Sequence, residues 1–216
     1  MALLSAERVR ANLAELREEI DAAATRAGRD PGAVEILAAV KYLAGPQLEV
    51  LADAGVTLVG ENRAQALIEK EGFARGRLRW HFIGQLQSRK VRLIAPRVEL
   101  IHSVASESAL RELGRHAPPT LAILLELNLS GESGKAGIDP RELDRFIDLS
   151  PVPVVGLMTM PPQADEPERS RPYFERLAEL ARERALPQVS AGTTQDFAVA
   201  VEAGATIVRI GTRLYR

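Results

Sequence analysis

Ile36-Leu37-Ala38-Ala39-Val40-Lys41-Tyr42-Leu43-Ala44-Gly45 is the stretch on which the fold turns. It opens as an apolar, β-prone run and leaves that run on a lysine. Strands that alternate with helices build either an open doubly wound sheet or a closed barrel. The open sheet normally carries a Gly-rich phosphate-binding turn directly after its first strand. Lys41-Tyr42-Leu43-Ala44-Gly45 is no such turn. The barrel is therefore the expected fold.

The alternation continues on both sides. Before the stretch, Val9, Leu13, Leu16 and Ile20 recur at helical spacing within residues 5–28. Ser5 is placed to cap that helix, and Gly28 before Asp30-Pro31 ends it. Strands are predicted at 35–42, 57–61, 79–85, 100–104, 121–129, 152–160, 188–191 and 206–211. Helices are predicted between them at 45–54, 63–74, 88–95, 106–115, 140–149, 171–185 and 195–203. Runs such as Ala122-Ile123-Leu124-Leu125 are apolar throughout, as in a sheet covered on both faces. Eight strands with seven helices between them are the count for an α/β protein of the (β/α)8 TIM-barrel type. The N-terminal helix would fill the place of the helix due after the eighth strand. No linker or repeat interrupts the pattern, so residues 1–216 read as a single domain.

Composition narrows the function. The 216 residues include 28 basic and 29 acidic side chains and only 4% aromatics. A nucleic-acid binder usually shows a basic excess with stacking aromatics, so no nucleic-acid partner is expected. No apolar run approaches the roughly 20 residues that span a bilayer, and residues 1–12 show scattered charges and no signal-peptide core. There are no cysteines, which excludes disulfides, zinc-thiolate sites and a cysteine nucleophile and fits a cytoplasmic protein. His81, His102 and His116 share no ligand spacing, so no metal is expected.

Barrels place their chemistry at the C-terminal ends of the strands, with phosphate sites commonly after strands seven and eight. Those two ends carry Ser190-Ala191-Gly192-Thr193-Thr194 and Ile210-Gly211-Thr212, which supply hydroxyls and glycines open to close approach. Thr193 with Asp196 also fits a helix capping box, which needs no ligand. The first strand ends on Lys41. A lysine amine must be neutral to attack an aldehyde, and desolvation or a nearby cation favours that form. Val40 and Tyr42 would desolvate it, and Arg209 could be the cation. A reactive lysine beside a phosphate site points to pyridoxal 5′-phosphate held as a Schiff base. His81, after Trp80 in an apolar strand, reads more simply as a hydrogen-bonded structural residue. Lys135, in Gly134-Lys135-Ala136-Gly137, is either an anion contact or part of a solvated turn. Residues 161–169 form either a lid or a solvated loop.

A series of motifs in order resembles the pyridoxal phosphate homeostasis protein family. They are Ala39-Val40-Lys41, Gly60-Glu61-Asn62-Arg63-Ala64-Gln65, Trp80-His81-Phe82-Ile83-Gly84-Gln85-Leu86-Gln87, Ser133-Gly134-Lys135-Ala136-Gly137, Gly156-Leu157-Met158 and Val208-Arg209-Ile210-Gly211-Thr212. The resemblance covers essentially the whole chain. It implies a barrel similar to the N-terminal domain of alanine racemase, without that enzyme's C-terminal β domain. It implies the cofactor on Lys41, with Asn62 near its ring, and Arg209 facing its pyridine nitrogen. Ser190, Gly192, Thr194, Gly211 and Thr212 would hold its phosphate, with Met158 and His81 near the pocket. The family's phosphate loop is often Ser-Met-Gly-Met-Ser, so this chain lacks both methionines there. Ala66 stands where an acidic residue is common.

Carrier and enzyme differ in what else the site needs. A racemase needs an acid/base group on each face of the substrate, and related racemases draw one, a tyrosine, from a partner subunit. The sequence stops at Arg216, just after the eighth strand. Tyr42 would alternate to the far side of its strand, and Tyr173 and Tyr215 fall outside the strand ends. The expectation is a monomeric carrier that buffers or delivers pyridoxal 5′-phosphate, with apo-forms of enzymes that use it as partners. An amino-acid racemase is the alternative.

Overall fold

The computed structural model describes residues 4–132 and 134–215. Ser133 in the fourth motif, Arg216 and the first three residues of the N-terminal stretch lie outside them. Eight parallel strands close into a barrel in sequence order. They are β1 (Glu35–Ala39), β2 (Leu58–Glu61), β3 (Arg79–Phe82), β4 (Leu100–Val104), β5 (Ala122–Leu127), β6 (Val154–Thr159), β7 (Gln188–Thr193) and β8 (Ile207–Ile210). Closure is made by β8 on β1, with Leu37 opposite Arg209 and Ala38 opposite Ile210.

The helices are α1 (Ala6–Arg26), α2 (Gln47–Asp53), α3 (Ala64–Lys70), α4 (Val91–Ile94), α5 (Glu107–His116), α6 (Leu143–Asp148), α7 (Arg171–Glu183), α8 (Phe197–Glu202) and α9 (Thr212–Tyr215). α1 forms as its spacing predicts. Ser5 Oγ accepts the Arg8 N–H at 3.2 Å, and Val9, Leu16 and Ile20 are buried along one face. It packs between α8 and α2 and against α9, in the slot expected for it. α9, a single turn after β8, was not predicted. Among the described residues no helix is long and apolar enough to cross a membrane.

Strand alternation sends side chains to two places. Outward residues pack under the helices in one large apolar layer. Inward residues Leu37, Leu58, Leu100, Leu124, Met158 and Ile207 fill the barrel itself. Above that apolar plug the interior turns polar, with His81, His102, Ser190, Glu126 and Arg209 all buried. A polar layer inside a barrel is costly unless its groups are hydrogen-bonded. That layer lies against the candidate site.

Candidate functional site

The site begins where β1 stops. The Val40 N–H still pairs with Gly60 O at 3.0 Å, but Val40 O accepts the Leu43 N–H at 3.0 Å, and the chain turns. The strand therefore ends before 42, and two expectations fail with it. Lys41 and Tyr42 are exposed in the turn rather than desolvated at a strand tip. Tyr42 does not point away from Lys41: the lysine Nζ lies 4.6 Å from the centre of its ring.

The two carbonyls before Lys41 are pinned. Val40 O also accepts the Lys70 Nζ at 2.8 Å, and that ammonium pairs with Glu61 Oε2 at 2.6 Å. Both partners are buried. Glu61 Oε1 takes the N–H groups of Asn62 (2.6 Å) and Arg63 (3.1 Å). The Ala39 carbonyl accepts the Tyr215 hydroxyl at 3.1 Å. The glutamate of Gly60-Glu61-Asn62 thus works through α3 to hold the lysine turn. Gly84 lies against the same place. A Cβ there would come within 2.0 Å of Asn62 O, so only glycine lets the ends of β2 and β3 meet.

Lys41 opens on a cavity of about 630 Å³ at the C-terminal end of the barrel. Asn62, Met158, Arg209 and the turns after β7 and β8 line it. The buried Asn62 Oδ1 has no hydrogen-bond partner among the described residues, which marks it as an acceptor awaiting a donor. Arg209 Nη1 donates to Ser190 O (3.0 Å) and Ser190 Oγ (2.6 Å). Its Nη2 donates to Thr159 O (3.2 Å) and Met160 Sδ (2.9 Å). Four of the five guanidinium hydrogens are thereby spent on the barrel. Burial lowers the Arg209 pKa to about 10, with Asp196 and Glu126 acting against that shift. Burial pushes the Glu126 carboxyl up, and Arg209 opposes it.

At the other end of the cavity the turns after β7 and β8 are tied together. Thr194 Oγ1 accepts the Gly211 N–H at 3.2 Å. Gly192 bends the chain at φ +86°, a conformation that favours glycine. The Asp196 carboxylate takes the Thr193 N–H at 2.7 Å and its hydroxyl at 3.0 Å. Asp196 is itself the N-cap of α8, so these bonds tie the turn after β7 and are not the expected capping box with Thr193 as the cap.

Of the residues singled out from sequence, Lys41, Asn62, Met158, Thr194, Arg209, Gly211 and Thr212 line this cavity. Gly192 lines a smaller adjoining one beside the loop after β6. Ser190 and His81 line neither. Ser190 is fully buried against Arg209, and His81 Nδ1 lies 3.0 Å from His102 Nε2. Lys135 is on the separate loop after β5, 3.5 Å from Glu132. Glu126 and Tyr215 are among the cavity residues that the sequence reading missed. Glu126 was signalled by a lone charge in an apolar run; Tyr215 had no signal, because its place depends on α9.

Comparisons with known proteins agree with this geometry. The family model described as alanine racemase, N-terminal domain, matches residues 11–216. A pyridoxal phosphate homeostasis protein of Aquifex aeolicus is 39% identical, over 94% of this chain and 95% of that protein. A solved structure from Bifidobacterium adolescentis superposes with a TM-score of 0.89 at 32% identity, covering 97% of this chain and 95% of its own. PipY of Synechococcus elongatus, solved with PLP bound, has a TM-score of 0.80 at 28% identity, covering 96% of this chain and all of its own.

Proposed function

The chain belongs to the pyridoxal phosphate homeostasis protein family, on the alanine racemase N-terminal fold, and on that footing we propose that it binds pyridoxal 5′-phosphate in this cavity and buffers or delivers it. The observation that carries the reading is one lysine opening on the same cavity as an orphaned amide oxygen and a clamped guanidinium. The cofactor would supply an aldehyde, which a neutral lysine amine takes up as a Schiff base with loss of water. Lys41 is the only lysine lining the cavity among the described residues. Asn62 Oδ1 would accept a hydroxyl of the ring. The Arg209 Nε–H, with no partner among the described residues, would meet the pyridine nitrogen. Thr194, Gly211 and Thr212 would hold the phosphate. These donors and acceptors fit the group.

Two features support a carrier over a catalyst. Lys41 is exposed, so water reaches the bond that must be hydrolysed for release. A permanent cation at Arg209 disfavours protonating the ring nitrogen and weakens the ring as an electron sink, which argues against transamination and decarboxylation but not against racemisation. Under this reading the chain is a cytoplasmic monomer, and its recipients are apo-enzymes that use the cofactor. Incubation with pyridoxal 5′-phosphate, borohydride reduction and peptide mass spectrometry should put the label on Lys41; cofactor-loaded protein unlabelled there refutes the assignment. Chiral chromatography of alanine, serine and glutamate after long incubation should show no racemisation, and turnover would favour the racemase reading.

A further inference from the structure

Inside the barrel, below the cavity, runs a continuous line of polar groups. Arg209 Nη1 on β8 donates to Ser190 Oγ on β7 at 2.6 Å. Ser190 Oγ lies 2.8 Å from His102 Nδ1 on β4. His102 Nε2 lies 3.0 Å from His81 Nδ1 on β3. β4 and β7 are not neighbours in the barrel, so the line crosses its interior. Every member is buried: His102 and Ser190 are wholly inaccessible, His81 is 4% exposed and Arg209 7%.

The hydrogens can be assigned by counting. In one direction Arg209 donates to Ser190, the serine hydroxyl donates to His102 Nδ1, and the His102 Nε2–H donates to His81 Nδ1. Each shared hydrogen then has an acceptor. In the opposite direction both Arg209 and His102 would donate to Ser190 Oγ. The serine hydrogen would need a third partner, and no such acceptor is found for it among the described residues. An unsatisfied hydroxyl in a dry site is costly. The first direction holds. It makes both imidazoles neutral and protonated on Nε2. Burial agrees: it lowers His81 to about 3, with Arg79 adding to the shift. It also holds His102 well below the usual histidine value, with His81 and Arg209 adding to the shift.

We propose that His81, His102 and Ser190 are positioning residues: a directed hydrogen-bond chain that fixes the rotation of the Arg209 guanidinium and so aims its remaining Nε–H into the cavity. Without the chain, Ser190 Oγ could turn its hydrogen toward Arg209 and repel it. The guanidinium would keep only carbonyl and sulfur partners. The inference rests on the reading of the cavity as a pyridoxal 5′-phosphate site, because that ligand makes the aim of Arg209 matter.

Two measurements test it. Long-range ¹H–¹⁵N spectra of the cofactor-free protein, from about pH 8 to about pH 5, should show His81 and His102 neutral and Nε2-protonated throughout. An Nδ1-protonated His102, or titration of either ring in that window, overturns the chain. This measurement needs neither cofactor nor variant. The second compares His102→Leu, which can neither accept nor donate, with His102→Gln, whose amide offers an acceptor oxygen and two N–H donors. His102→Leu should weaken pyridoxal 5′-phosphate binding roughly tenfold and move the absorption maximum of the bound cofactor. His102→Gln should keep both near wild type. A leucine variant that binds and absorbs like wild type, or a glutamine variant as impaired as the leucine one, overturns the proposal. If His102→Leu does not fold, the tautomers decide. Wild-type protein that takes up no cofactor sinks the cavity reading instead, and the tautomers then judge the chain alone.

Discussion

Lys70 has the least freedom of any lysine described here, and it reaches the site only through other residues. Its ammonium is buried between Val40 O and Glu61 Oε2. Truncating one partner of a buried pair leaves the other charge without compensation, which costs about 3–5 kcal/mol. Lys70→Met is therefore expected to lose about that much stability in urea denaturation. Lys70→Met combined with Glu61→Gln should recover most of it, because glutamine keeps an acceptor for the Asn62 and Arg63 N–H groups. A double variant no better than the single one would show that the ion pair does not couple the two positions. Tyr215 makes a smaller case. Burial raises its pKa, with Glu61 adding to the shift, so it stays a donor. Tyr215→Phe strands Ala39 O and should cost about 1 kcal/mol. Because that carbonyl lies two residues before Lys41, the rate of cofactor release should rise as well. An unchanged release rate, followed by absorbance, would confine Tyr215 to stability.

Elements meet the site at their ends, and there the sequence was both most and least legible. Strand interiors read correctly because a run covered on both faces must be apolar, as Ala122-Ile123-Leu124-Leu125 is. Strand ends did not. β1 was read through Tyr42 because Val40-Lys41-Tyr42 continues the β-prone pattern, whereas the Leu43-to-Val40 bond ends it at Ala39. β7 is expected to end at residue 191, yet the strand runs on to Thr193. Seven of the residues singled out from sequence line the cavity, since strand ends are where a barrel displays them. The buried chain was missed because His102 and Ser190 are distant in sequence and meet only across the closed barrel. Gly84 ties two elements together and can be tested. A methyl group 2.0 Å from Asn62 O cannot be absorbed by side-chain movement. Gly84→Ala should cost at least ~2 kcal/mol and displace Asn62, lowering both melting temperature and cofactor affinity. A variant with wild-type affinity would mean that Asn62 does not contact the ligand.

Across the whole molecule, a barrel that buries two neutral histidines becomes a folded state that resists protonation. The unfolded chain binds protons on both near the ordinary histidine value of about 6.5. The folded chain binds one on His81 only near 3, and on His102 well below the ordinary value. Protons therefore favour the unfolded state throughout that interval. The stability from keeping these rings neutral is complete above about pH 6.5. It falls as pH drops, by up to about 1.4 kcal/mol per pH unit for each histidine. Glu126 acts the other way: its raised pKa favours the folded state as it takes up its proton, which offsets part of the loss. The carboxylates of Asp139, Asp144, Glu168 and Glu202 are held low by arginine partners and matter only in more acid solution, below about the ordinary carboxylate value. From pH ~7 to pH ~5 the histidines should thus dominate. Urea midpoints of the cofactor-free protein should decline through that window, and His102→Gln, which keeps the hydrogen bonds but cannot titrate, should decline with about half the slope. A flat wild-type profile, or a glutamine variant as steep as wild type, would mean that the barrel interior admits protons, and a chain open to protons could not hold Arg209 in one orientation.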